Sequence, residues 1–277
     1  MMAGAAATPG AAYVLMRPSK TRQVVVCALQ MWAYLAAYEL PYDDPEALAE
    51  RVHISYPIDV DRVLGLGKVP SERLQRMFAR DGQISHFERM LVWSHWVWFP
   101  VPHLSVLYVL WRRPERFSVA AARLYLTYDL GAVVYWALPT APPWWAAWKG
   151  YLGPEDPLPI RRLMQEYGEE FWGERWAVLF DALGGNPLAA MPSMHFATSI
   201  MAARALAEAG PVAGAIGWTY ASTLGVALVY LGEHYVLDLI AGASLAEAVL
   251  RGGRRFAKPI RTVVRGLDAL ARVAAKR

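Results

Sequence analysis

Apolar residues gather into six stretches along the chain, with polar connections between them. The first covers about residues 24–42 ("VVVCALQMWAYLAAYELPY"), the second 91–111 ("LVWSHWVWFPVPHLSVLYVLW") and the third about 118–138, ending "TYDLGAVVYWAL". The fourth begins at Ser193, the fifth runs from about Val212 to Leu231, and the sixth from about Tyr235 to Leu250. Several approach the roughly 20 residues that cross a hydrocarbon core of about 30 Å. Lipid offers no partners to backbone N–H and C=O groups, so such spans are expected to be helices. The pattern predicts an all-α, polytopic membrane protein with six transmembrane helices, the short sixth tilting little or extending into its flanks.

Two connections are long, 43–90 and 139–190, and neither is blank. "PSERLQRMFARDG" (70–82) and "EYGEEFWGERWAVLFDALGG" (166–185) carry charges on one side and Leu, Phe and Trp at helical spacing. They predict amphipathic interfacial helices that roof a lipid-facing site; ordinary packed loops are the plainer alternative. The expected organisation is a cytoplasmic segment 1–23, one six-span membrane domain 24–250, and a basic cytoplasmic tail 251–277. No internal repeat or low-complexity linker divides it.

Composition and charge sharpen this picture. Of 277 residues, 56% are hydrophobic, 19% are charged and twelve are Trp, whereas an average soluble domain carries about 25% charged residues. Mean hydropathy is only +0.20, so the apolar character is concentrated in segments. A net charge of +4 and a pI near 9.2 would suit a nucleic-acid binder, but the basic residues are placed otherwise. Arg17, Lys20 and Arg22 precede the first stretch, and Arg112, Arg113 and Arg116 join the second to the third. Arg251, Arg254, Arg255, Lys258, Arg261 and Arg265 follow the sixth, while both long connections hold more acids than bases. The positive-inside rule then puts both termini in the cytoplasm and both long connections outside. Anionic lipid is the natural partner of the basic tail, and no nucleic acid is called for. Trp93, Trp96, Trp98, Trp144, Trp145 and Trp148 are expected mainly as an outer aromatic belt. The single cysteine, Cys27, excludes an internal disulfide and a cysteine-based zinc site. Residues 1–16 lack a basic region ahead of an apolar core and do not read as a cleaved signal.

On this topology His195, in "AAMPSMHFATS" (189–199), lies just inside the outer interface. His234 and Asp238, in "YLGEHYVLDLIAG", stand at the outer entrance of the sixth stretch, and a spacing of four puts them on one helical face. Two histidines and a carboxylate thus fall at one depth from two different helices. Ionisable groups in spans are costly and face a cavity or one another. Each residue alone reads first as interhelical hydrogen-bonding glue, and the three together could supply three ligands to zinc. The segment before His195 adds features that a metal site does not need. Asn186-Pro187 and Pro192-Ser193 make a turn into a helix N-terminus, where free N–H groups and the dipole favour an anion. Ser193 is a natural N-cap whose hydroxyl could also meet a phosphate oxygen. An anion site, a histidine one turn in and a His–Asp pair opposite point to phosphoryl transfer.

"PSMH" together with "GEHYVLD" resembles the second and third signature motifs of the type 2 phosphatidic acid phosphatase (lipid phosphate phosphatase) superfamily. "LPTAPPWW" (138–145), "GGNPLAAMPSMHFA" (184–197) and the closing H-Y-x-x-D are similar to the branch containing inositol phosphorylceramide synthases. The resemblance covers about residues 90–250. It implies that His234 is the nucleophile that takes the phosphoryl group, with Asp238 holding the ring's other nitrogen. It implies His195 as the general acid toward the leaving alkoxide, Ser193 as a ligand of the phosphoryl oxygens, and no metal or other cofactor. The phosphatase branches carry K-x6-R-P upstream, and Ser-Arg six and seven residues before the nucleophilic His. Here those last two positions are Ala227 and Leu228, Met194 replaces the Gly of Pro-Ser-Gly-His, and "TAPPWWAAWK" replaces the first motif. The cation that an anionic transition state requires is then sought in Lys149, or in Arg161 or Arg162, with Asn186 a further phosphate-binding candidate. A phosphodiester substrate, carrying less charge, would need it less. His95 and Asp129 are candidates to line the substrate cavity, with packing as the alternative. His103 lies eight residues beyond His95, and Glu39 is expected at the interface. The expectation is a lipid phosphotransferase at the extracytoplasmic face of the cell membrane, taking a phospholipid donor and an alcohol acceptor, or water as in lipid phosphatases. A non-catalytic lipid-binding or transport protein on the same scaffold is the alternative from another class.

Overall fold

Each of the six apolar stretches forms helix, and local signals set where most of them begin and end. The structure, a computed structural model, describes residues 2–40, 44–80, 82–153, 160–183 and 186–274. Among the described residues the chain is all-α, with no strand. α1 (Met2–Leu15) leads into α2 (Lys20–Glu39), which Ser19 caps by accepting a hydrogen bond from the Arg22 N–H. The second stretch does not form the single span expected. It is two helices, α6 (His86–Trp96) and α7 (Val101–Arg112), because Pro100 and Pro102 lack the N–H groups that would carry the ladder through. α6 opens on a capping box in which Ser85 and Glu88 satisfy each other's backbone N–H groups. α8 (Pro114–Ala137) and α13 (Pro211–Tyr230) each start on proline, which suits the first helical turn. α12 (Met194–Ala209) and α14 (Val236–Arg251) complete the set. Only α13, among the described helices, is long and apolar enough by itself to cross a membrane.

α12 sits at the centre, packed against α7, α8, α13 and α14. Its buried face is built of small residues, Ala197, Ala202, Ala203, Ala205 and Ala209, which let neighbouring backbones come close. The outer faces stay apolar: Leu104, Trp111, Val133, Trp136, Val212, Ile216 and Ile240 are all exposed.

The long connections are largely helical. The first holds α3 (Pro45–Ala49), α4 (Ser55–Leu64) and α5 (Pro70–Phe78). The second holds α9 (Pro143–Trp148), α10 (Leu163–Trp172) and α11 (Arg175–Leu183). The amphipathic stretch expected at 166–185 is therefore two helices, divided at Gly173 and Glu174, and it starts earlier. Asp81, Gly184 and Gly185, which belong to the expected segments, lie outside the described residues. These helices pack over one end of the bundle, α4 on α14, α5 on α13 and α10 on α6. Thr140 ties the connections together by bridging in parallel to His53 and to Ala189. At the opposite end of the chain order, the basic tail is a long amphipathic helix, α15 (Gly253–Ala274). It packs on α1, and the Tyr13 hydroxyl donates to Asp268 at 2.8 Å.

Candidate active site

Three helix ends meet under this roof: the start of α12, the end of α13 and the start of α14. Ser193 is the N-cap of α12, its Oγ accepting from the Phe196 N–H at 3.2 Å and its own N–H donating to the Asp238 carbonyl at 2.9 Å. That contact requires glycine on the facing helix, since a Cβ at Gly242 would stand 2.5 Å from the Ser193 carbonyl oxygen. α13 ends in a turn whose Gly232 has φ +74°, a left-handed conformation that glycine adopts without cost. The chain then reverses through Glu233 and His234 into α14.

His234 is thus not on the helix that its spacing to Asp238 suggested. It lies in the turn before the N-cap, Tyr235, whose backbone is extended. The pair meets because Asp238 is the third residue of α14 and its carboxylate folds back over the helix end. Asp238 Oδ2 accepts the Tyr235 N–H at 2.8 Å and sits 3.3 Å from His234 Nδ1. Across the gap, His195 Nδ1 lies 3.1 Å from His234 Nε2. With an ionised carboxylate the tautomers follow from the network: His234 Nδ1–H donates to Asp238, leaving Nε2 with a lone pair facing His195. Asp238 is fully buried and His234 nearly so.

Two carboxylates and an arginine that carried little weight in the sequence frame this pair. Asp61, on α4, is fully buried, and its two oxygens accept the Val236 and Leu237 N–H groups at 2.9 and 3.0 Å. It therefore caps α14 from a remote part of the chain. Burial pushes its carboxyl up to about 6, against the pull of the two N–H donors. Glu233 precedes the nucleophile candidate, and burial raises its carboxyl while the nearby Arg162 charge lowers it. Arg162 stacks on the Trp144 ring at 3.9 Å.

A cavity of about 320 Å³ opens onto His195 and His234, and Arg162, Glu233, Glu39 and Asn186 also line it. The break between α6 and α7 contributes Trp98 and Phe99, flanked by His95 and His103. His95 packs against His195 with ring centres 4.6 Å apart and planes tilted by 34°, Trp98 lies 4.1 Å from the same imidazole, and neither His95 nitrogen has a hydrogen-bond partner among the described residues. Asn186 uses its side-chain oxygen to accept the Leu188 N–H and its carbonyl to accept the Tyr38 hydroxyl. Lys149, the cation first sought, is elsewhere: it is exposed over the Trp148 ring at 4.2 Å and does not line the cavity. Asp129 also faces away, paired with Gln30 of α2 at 3.1 Å. Arg161 is ion-paired to Glu166. Ala227 and Leu228, where the phosphatase pattern has Ser-Arg, are fully buried among apolar side chains. Among the described residues no group of three or more His, Cys, Asp or Glu could hold a metal ion.

Sequence reasoning missed Asp61 because nothing local marks it; its partners lie 175 and 176 residues away. Glu233 left a signal, an acid beside the histidine at a helix entrance.

A relative from Bacteroides thetaiotaomicron, phosphoinositol dihydroceramide synthase, is 28% identical over 162 residues, covering 54% of this chain and 50% of its own. The match thus spans half the length of that relative. No solved structure matches. The sequence profile of the PAP2 superfamily matches residues 58–251, from the helix that carries Asp61 to the end of α14. By that match, over well more than half its length, the chain belongs to the PAP2 superfamily.

Proposed function

We propose that this chain is an integral-membrane lipid phosphotransferase that moves a phosphoryl or inositol-phosphate-type group from a phospholipid to an alcohol by way of a phosphohistidine. The contact of His195 Nδ1 with His234 Nε2, backed by Asp238 on the far nitrogen, is the observation that carries this reading. His234 Nε2 attacks phosphorus as the two imidazoles part, and the lipid P–O bond breaks. His195, carrying a proton on both nitrogens, gives one to the leaving alkoxide. Asp238 stabilises the positive charge that His234 acquires. The acceptor hydroxyl then loses its proton to His195, its oxygen bonds phosphorus, and the P–N bond breaks. Ser193 and the free N–H groups that open α12 are the phosphoryl-oxygen donors of this scheme. The synthase relative, together with the apolar Ala227 and Leu228, favours an alcohol over water as acceptor.

Six spans suit this chemistry: α2, the α6–α7 pair, α8, α12, α13 and α14, with α12 central and apolar side chains exposed on the others. Non-helical backbone at membrane depth is tolerated where it lines a cavity, and the α6–α7 break does so. In a purified preparation given radiolabelled phosphatidylinositol and a long-chain alcohol, label should pass into a new phosphodiester. With phosphatidic acid as donor, release of free phosphate alone would make the protein a phosphatase. Binding without any transfer would leave a non-catalytic lipid protein.

In this orientation the connections lie outside the cell membrane and the lipid donor is drawn from the outer leaflet. Glu174→Cys, in the exposed turn between α10 and α11, is expected to react with an impermeant maleimide in intact cells carrying Cys27→Ser. Arg265→Cys, exposed on α15, is expected to react only after lysis. The reverse pattern would invert the topology and move the substrate pool to the inner leaflet.

A further inference from the structure

An anionic transition state needs positive charge fixed near the phosphoryl oxygens, in place before the reaction starts. The position that would supply it in the phosphatase pattern is a buried leucine, Leu228, in the middle of the core. Lys149 stands outside the cavity. One basic side chain from the second connection does line the same cavity as His195 and His234, and it is Arg162.

Several contacts hold Arg162 there. Gln75 of α5 accepts the Arg161 N–H at 2.8 Å, donates to the Arg161 carbonyl at 3.2 Å and donates to the Tyr230 carbonyl at 2.8 Å. The backbone just before Arg162 is thereby clamped to the end of α13. The guanidinium carbon lies over the Trp144 ring, 3.9 Å from its centre, and the Trp144 backbone N–H donates to the Gly232 carbonyl at 3.0 Å. Glu233, the next residue after Gly232, lines the same cavity as Arg162 and Trp144, and the Arg162 charge lowers its carboxyl. Arg162, Trp144 and Glu233 therefore form one unit whose last member is covalently joined to His234. A guanidinium stacked on an indole keeps its N–H fork pre-set for two oxygens of one phosphoryl group.

We propose that Arg162 is the phosphoryl-binding cation of this enzyme, with Glu233 and Trp144 as its positioning residues. The assignment rests on the phosphohistidine reading above and adds to it the group that stabilises the charge. It also explains the acid that precedes the nucleophile. Glu233 holds the arginine over the reacting centre between turnovers and releases it to the phosphate.

The test is the rate at which radiolabel from phosphatidylinositol or phosphatidic acid appears on His234, quenched in alkali to preserve phosphohistidine. Arg162→Gln should slow labelling by on the order of 10²–10³-fold. The loss should be larger for phosphatidic acid, a monoester, than for the less charged phosphatidylinositol. Arg162→Lys, which keeps the charge without the fork, should recover part of the rate. Arg175→Gln, exposed at the start of α11 and outside the cavity, should label as the wild type does. If Arg162 served only to neutralise Glu233, the double variant Arg162→Gln/Glu233→Gln would regain the wild-type rate. We expect it to stay as slow as Arg162→Gln. Labelling of Arg162→Gln within about threefold of the wild type, or recovery in the double variant, would overturn the assignment while leaving the phosphohistidine in place. An unlabelled wild type would overturn the reading on which it rests. Should Arg162→Gln fail to fold, Arg162→Lys decides: an undiminished rate with both donors contradicts a bidentate clamp.

Discussion

His234→Ala is expected to leave the folded protein without phosphoenzyme and with turnover at background, a fall on the order of 10⁵–10⁶. The ring occupies a turn rather than a helix, and its nitrogens meet Asp238 and His195, so its removal should spare the helices α13 and α14. No other nucleophile replaces it. His195 presents Nδ1 to His234, and the His95 ring is packed at a tilt against His195, its centre 4.6 Å away. The measurement is donor consumption by purified variant, with detergent gel filtration to show the fold is kept. Turnover above a tenth of the wild-type rate would remove the covalent mechanism, because an intermediate formed elsewhere would have to carry it.

Asp238→Asn is expected to reduce turnover by about 10²–10⁴. The amide is nearly isosteric but can offer its NH₂ to His234 Nδ1, which fixes the other tautomer and puts the proton on the attacking nitrogen. It also removes the charge that balances the imidazolium. A second effect is separable. Asp238 Oδ2 accepts the Tyr235 N–H at 2.8 Å and is also the oxygen that faces His234 Nδ1, so an asparagine oxygen in that place keeps the Tyr235 bond, whereas an NH₂ there loses it. Stability should change little when the oxygen keeps that place and fall by about 1 kcal/mol when the NH₂ takes it, while activity collapses in either case, with the fall in kcat rather than in donor KM. A fall confined to KM would mean that the carboxylate binds substrate instead of orienting the ring.

The helical character of the six stretches was legible because long apolar runs offer the backbone few hydrogen-bond partners besides its own. The break between α6 and α7 was legible too, in Pro100 and Pro102, but a continuous run of Val, Trp and Phe masks it when hydropathy alone is followed. The proximity of His234 and Asp238 was read from a spacing of four, a helix argument, whereas the contact comes from a carboxylate capping the end of α14. The same spacing serves two geometries, and only the N-cap at Tyr235 separates them. Lys149 and Arg162 looked equivalent, each a cation in an acidic connection. What distinguishes them is Gln75, 86 residues from Arg161, together with the seating of Trp144 on Gly232. Contacts across such separations leave no periodic trace, and the pairing of Asp61 with α14 is hidden for the same reason.

That pairing has a consequence for how the protein is made. α4 leaves the ribosome long before α14, so on the membrane-spanning reading proposed above its carboxylate waits at the membrane surface until α14 arrives. The turn that carries His234 acquires its shape only when that late helix is capped by Asp61. A chain arrested at any earlier point of insertion carries His195 and the cavity wall but no organised nucleophile. If the proposed function holds, completion of membrane assembly and the onset of chemistry are one event, and a half-inserted protein would not consume the lipids around it.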